Sequence, residues 1–147
     1  MATVQRATRV VGEQHEVISG RDEMIRGMNP QVVPGVFVFA TIAHHQSLPD
    51  GVNVYSTVWE SEGLSVVIAR EDAGRLDLVD PVELGWITLT VNSSLEGVGL
   101  TAAVSAVLAE HEIACNVVAG HHHDHLLVPV ERVDEAARLL TELASQR

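Results

Sequence analysis

The stretch WITLTVNSSLEGVGLTAAVSAVLAEHEIACNVVAGHHHDHLLVPV, residues 86–130, changes its hydrophobic period twice, and those changes decide the fold. Residues 86–91 alternate as a β-branched strand does. After the small-residue loop 92–99, Leu100, Ala103, Val104, Val107, Leu108 and His111 recur at i, i+3, i+4, i+7, i+8 and i+11, one face of a helix. Residues 114–119 return to strand, Gly120 turns the chain, and Leu126, Val128 and Val130 share one side of a third strand. Glu131, Asp134 and Glu135 then load the first turn of a last helix with the sign its dipole favours. Ala136, Ala137, Leu140 and Leu143 form its apolar stripe. The order β-α-β-β-α is a ferredoxin-like unit without its fourth strand. That edge must come from the first half of the chain or from a second chain.

The first half offers elements of similar size. Ser19 is placed to cap a short helix over 21–28, with Met24, Ile25 and Met28 on one face and Pro30 ending it. Pro34-Gly35 leads into 36–42, VFVFATI, a run typical of a strand buried on both sides. Pro49-Asp50-Gly51 signals a turn, and 54–60 and 64–69 read as strands joined through Ser61-Glu62-Gly63. Residues 71–76 read as a short helix, and Asp80-Pro81 marks a boundary. The expected organisation is an N-terminal extension over 1–20, flexible in character, then modules at 21–81 and 82–147.

Composition narrows the function. The chain of 147 residues is 46% hydrophobic but only 3% aromatic, so Val, Leu, Ile and Ala must build the core. Twenty Asp and Glu against nine Lys and Arg give a net charge of −11. That balance disfavours nucleic acid and anionic membrane surfaces as partners, since both reward basic faces. No apolar run is long enough to span a bilayer. The start has no continuous apolar segment of the signal-peptide kind, because Glu13, His15 and Glu16 interrupt it. One cysteine, Cys115, excludes an intramolecular disulfide, suits a reducing compartment and reads as a small core residue. The expectation is a cytoplasmic protein.

Residues 92–130 resemble the C-terminal module of tandem ACT domain proteins. The likeness rests on Ser93-Ser94-Leu95-Glu96, on Val98-Gly99-Leu100-Thr101, on the strand before Gly120, and on His123-Asp124-His125 running into Leu127-Val128-Pro129-Val130. Pro34-Gly35-Val36-Phe37-Val38-Phe39 and Glu62-Gly63-Leu64 resemble the partner module more loosely. His121 and His122 depart from the pattern, which has tyrosines there. The resemblance implies an α+β fold of two ferredoxin-like βαββαβ modules, with antiparallel sheets and helices on one face. It also implies a regulatory sensor of an amino acid or similar metabolite rather than an enzyme, with no cofactor and with a homodimer as its habitual state. Its ligand would sit between first strand and first helix, at Ser93, Ser94, Val98, Gly99, Leu100 and Thr101, with His123, Asp124 and His125 as rim.

The residues support a site at that place independently. The first N–H groups of a helix have no internal partners and lie at the positive end of its dipole, so they can hold a carboxylate. Gly97 and Gly99 put no Cβ in the way of an approaching group. Against this, Ser93-x-x-Glu96 also fits a capping box, which would make the loop purely structural. Asp124 is placed to take an ammonium, and His123 or His125 to orient a side chain. His123 and His125 alternate, so on a strand they would share one face and could chelate a metal. No second cluster completes such a set: His44-His45 is an adjacent loop pair. The remaining alternatives are a solvated polar tip and a scaffold module with an empty site. No nucleophile, phosphate-loop or C-x-x-C motif is present.

Overall fold

The computed structural model describes residues 16–146. Residues 1–15 of the expected extension lie outside them. Helix α1 (Arg21–Gly27) is followed by the long strand β1 (Pro30–Ile42), then β2 (Val54–Glu60) and β3 (Gly63–Ala69). A 3-10 turn over Arg70–Leu76 leads to β4 (Leu84–Leu89), α2 (Leu100–Glu110), β5 (Asn116–Ala119), β6 (Asp124–Pro129) and α3 (Val133–Ser145).

The strands form one six-stranded sheet in the order β2-β3-β1-β4-β6-β5. β1 pairs antiparallel with both β3 and β4, and β4 with both β1 and β6. Counting β1 as the first strand of the front half gives the ferredoxin-like order 4-1-3-2, with β4 as fourth. Counting β4 as the first strand of the rear half gives the same order, with β1 as fourth. Each central strand therefore serves both modules. The missing edge of the rear module comes from the same chain, and the sheet has an internal pseudo-twofold between β1 and β4.

β1 begins six residues earlier than its apolar run suggests. Pro34-Gly35 does not precede the strand but lies within it, where the register slips between Val33 (opposite Trp86) and Phe37 (opposite Leu84). Pro34 cannot donate to a ladder, and Gly35 stands at φ 117°, so the two are accommodated as a bulge. The short helix expected at 71–76 is a 3-10 turn. The front module thus replaces both helices of its pattern with the 43–53 loop and this turn.

Alternation divides the sheet into two faces. Ile87 and Leu89 of β4 and Leu126 and Val128 of β6 point toward the helices. There they pack with Met24 and Ile25 of α1, Val104 and Leu108 of α2 and Leu140 of α3, all almost fully buried. A fully buried aliphatic side chain of this size contributes about 1.5–3 kcal/mol, so this cluster is the main source of cohesion. Val38, Val66 and Ile68 continue the same face under the 3-10 turn. On the other face a cluster drawn only from strands gathers Phe37, Val67, Leu84, Trp86 and Leu127. No helix of the described residues is long and apolar enough to cross a membrane.

Candidate functional site

β4 ends at Leu89, and ten residues later Gly99 opens α2. Gly99 is the N-cap residue at φ 105°, a conformation that L side chains rarely adopt, and among the described residues no side chain caps the helix. The capping box suggested by Ser93 and Glu96 is not made. Instead the Glu96 N–H donates to Ser94 Oγ at 3.1 Å, and the Gly97 N–H donates to the Ser94 carbonyl at 2.9 Å. These bonds close a local turn three residues before the helix, because Gly97 and Gly99 delay its start. Ala103 N–H is bonded to the Gly99 carbonyl. Among the described residues the preceding amides of α2 have no side-chain acceptor at the positive end of the helix.

The segment before α1 docks on this loop. Ile18 N–H donates to the Asn92 carbonyl at 2.9 Å, Ser94 N–H donates to the Ile18 carbonyl at 2.8 Å, and Ile18 forms a parallel bridge with Ser93. α1 then crosses the glycines. A Cβ on Gly97 would lie 2.7 Å from Met24 Sδ, and one on Gly99 would lie 2.8 Å from Arg21 Cδ and 3.1 Å from Arg21 Nε. The main-chain space expected to admit a ligand is therefore lined by side chains of the chain's own α1, and a ligand approaching these glycines must move Met24 or Arg21. Arg21 is exposed, and among the described residues it has no carboxylate within ion-pair distance. It brings a guanidinium to the uncapped start of α2. Spacing along the sequence carries no sign of this residue, because more than seventy positions separate Arg21 from Gly99.

The histidine-rich turn meets the same loop from the other side. Gly120 N–H donates to the His123 carbonyl at 2.9 Å, and His123 Nδ1 bonds the Val91 carbonyl at 3.1 Å. The two stretches read from sequence thus share one end of the sheet, with Asp124 opposite Leu89. Burial raises the Asp124 carboxyl above its ordinary pKa, while His125 and His123 pull it down. His121 and His122 stay exposed at the tip, their rings edge to face at 4.6 Å.

His125 departs from the rest. β6 begins at Asp124, so His123 lies in the turn rather than on the strand, and the two rings do not present a chelating pair on one strand face. His125 pairs with Thr88 on the sheet face away from the helices. Its Nδ1 accepts from Trp86 Nε1 at 3.2 Å and lies 3.0 Å from Thr88 Oγ1. With Nδ1 accepting, the neutral ring carries its proton on Nε2. Burial, and then the neighbouring His123, lower its pKa, with Asp124 opposing. Among the described residues no group of three or more His, Cys, Asp or Glu is arranged to hold a metal ion. Cys115 packs against the main core, and burial raises its thiol pKa, which disfavours the reactive thiolate.

Ser93, Ser94, Gly99, Leu100 and Thr101 thus lie along one strand-to-helix junction, with His123 bonded to its first residues. Val98 is 80% exposed beside them, whereas Leu100 is a buried core residue. The frame is one six-stranded sheet in which the ferredoxin-like strand order occurs twice. ACT domain models match residues 21–82 and 82–142. A protein of unknown function from Vibrio cholerae, described as a possible transport protein, is 40% identical with a TM-score of 0.71, over 80% of this chain and 91% of that one. A protein from Agrobacterium tumefaciens is 23% identical with a TM-score of 0.64, over 78% and 87%. The ligand-free regulatory subunit of aspartate kinase from Thermus thermophilus shares the fold at 9% identity and a TM-score of 0.57, over 78% and 95%. No curated protein matches the chain. The chain belongs to the ACT domain family, as a tandem ACT domain protein.

Proposed function

We propose that this protein is a cytoplasmic, homodimeric sensor of an α-amino acid, bound where β4 passes into α2. ACT domains and the regulatory-subunit neighbour support a ligand-binding regulatory role, not a catalytic one. The observation that carries the finer reading is the start of α2, which among the described residues has no side-chain cap, with Arg21 beside it, which among the described residues has no carboxylate within ion-pair distance. Helix amides and a guanidinium both select an anion, and an amino acid brings a carboxylate. In this reading the carboxylate lies between Arg21 and the first amides of α2. Ser93, Ser94 and Thr101 add hydroxyl contacts, Val98, Gly99 and Leu100 form the wall, and His123 and Asp124 rim the ammonium end. His125 is the one expected contact that the sheet separates from the others. Because Met24 and Arg21 occupy the approach to the glycines, binding displaces side chains of α1, and α1 is the element that carries the signal.

The test is a thermal-shift screen of the common L-amino acids on wild type and on Arg21→Ala. A ligand at a hundredfold its Kd adds about 2.7 kcal/mol, which for a chain of this size is a rise of about 5–10 °C. Loss of one charge-assisted contact of about 1.5–3 kcal/mol weakens that ligand roughly tenfold or more in the variant. A screen in which no amino acid raises the melting point refutes this reading and favours a scaffold module with an empty site.

A further inference from the structure

Strands β1 to β6 contain only two charged residues, Glu60 and Asp124, in a chain whose net charge is −11. Asp124 lies opposite Leu89, whose side chain belongs to the helix-side core. Glu60 sits at the outer end of β2 with its carboxylate bonded to Ser65 Oγ. The sheet face away from the helices is therefore free of charge except at one corner. The scarce aromatics gather there: of two Phe, one Tyr and two Trp in the chain, all but Trp59 stand on this face. Phe37 meets Tyr55 edge to face at 5.0 Å and Trp86 at 5.3 Å, and Trp86 meets His125 at 5.1 Å. The rings run from β2 across to β6. Phe39, Tyr55 and Val58 remain 44%, 50% and 55% exposed, and no helix residue belongs to the cluster beneath them.

We infer that the exposed, uncharged part of this face around Phe39, Tyr55 and Val58 is where a second copy of the chain docks, sheet against sheet. The inference gives the proposed homodimer its surface and rests on that part of the functional reading, but not on the amino-acid site. Charge argues for a like copy. Two copies at −11 repel wherever their helices and loops approach, whereas this face brings together uncharged surfaces. Stacked sheets lie about 10 Å apart with the charged helix layers behind them, beyond the screening length of about 8 Å at physiological salt. The contact falls to the side chains that the single chain leaves open, Phe39, Tyr55 and Val58, because Phe37, Trp86 and Leu127 of the same face are already 2%, 6% and 0% exposed. Tyr and Phe are the usual anchors of such a contact. An aromatic sheet can also stack nucleic-acid bases, but that mode requires cations along the strand, and these strands hold no Lys or Arg. The pseudo-twofold between β1 and β4 lets front half meet rear half in an isologous contact.

Light scattering and sedimentation velocity on the full chain test this directly. Wild type is expected at twice 15.8 kDa. Phe39→Glu, Tyr55→Lys and Val58→Lys are each expected at the monomer mass with unchanged circular dichroism, because each places a charge on the face without emptying the core. Val79→Lys, 86% exposed and outside the six strands, is the control and stays dimeric. A dimer that survives all three face substitutions overturns the docking surface alone. A monomeric wild type overturns the homodimer as well. The amino-acid thermal shift, read on the same variants, reports separately on the ligand site: retention there accompanies loss of the dimer if the two are independent surfaces.

Discussion

Substituting Gly85 by alanine tests the packing of α3 on the strand that both modules share. Gly85 lies in β4 opposite Val128, and a Cβ there would stand 2.6 Å from both Cβ and Cγ2 of Val133. Carbon atoms pack best at about 3.5–4.0 Å, so the first turn of α3 must lift by roughly 1 Å. Val133 cannot simply turn away, because its Cβ is fixed to the helix backbone. Overpacking of this kind costs about 1–3 kcal/mol, which lowers the melting temperature by about 3–10 °C for a chain of this size. Gly74→Ala is the control: nothing lies within 4 Å of the new methyl group, and its effect is expected within about 1 kcal/mol, toward greater stability. Urea unfolding followed by circular dichroism and by tryptophan fluorescence supplies the assay. β4 is hydrogen-bonded to β1 on one side and β6 on the other, so both probes should report one coincident transition in each variant. A Gly85→Ala protein as stable as wild type, or two separate transitions for the modules, would refute the interlocked packing.

Further outcomes follow from the junction and from the histidine-rich turn. His125 has a pKa held below 6.5 by burial and by His123, so the unfolded chain takes up that proton first as the solution is acidified. Stability linked to this ring is full above 6.5 and falls as pH drops below it, and His125→Gln should abolish that loss in pH-dependent urea titrations. Asp124 works the other way in its own window: its pKa lies above 3.8, so between 3.8 and the raised value the folded state holds the proton better and acid stabilises it. An unchanged pH profile in His125→Gln would dissociate the ring from stability. Gly99→Ala forces an alanine to φ 105° against Arg21; about 1–3 kcal/mol of stability should be lost, together with any amino-acid response, both measurable in one melting series. Finally, protein prepared without a histidine tag or nickel column should carry no stoichiometric zinc, nickel or copper, and chelator should leave its melting point unchanged. Stoichiometric metal by elemental analysis would contradict that.

Local pattern shows most where one segment decides its own structure. The period of Leu100, Val104 and Leu108 marks α2, and the strands at 54–60 and 64–69 follow from alternation around Gly63. The convergence of the Val91 loop with the Gly120 turn also follows, because a right-handed crossover leaves little choice. What local pattern hides is non-local. β1 reads as a strand only from Val36, since Pro34-Gly35 is a stop signal unless a neighbouring strand absorbs the bulge. The exchange of β1 and β4 between modules is a property of the sheet and not of either segment. Arg21 reaches Gly99 only through the packing of α1 across the loop. His125 faces away from the junction because it pairs with Thr88 on the outer face of the sheet, and a shift of one residue in that register would reverse every side chain.

The amino-acid site is defined by where a small anionic metabolite touches the chain. Nitrogen–proton correlation spectra of isotope-labelled protein, titrated with each L-amino acid that raises the melting point, measure this directly. The largest amide shifts are expected at Gly99, Leu100, Thr101 and Ala102, with a second set in α1 around Arg21 and Met24. Shifts concentrated instead at Phe39, Tyr55 and His125 on the opposite sheet face, with the α2 amides unmoved, would contradict this placement.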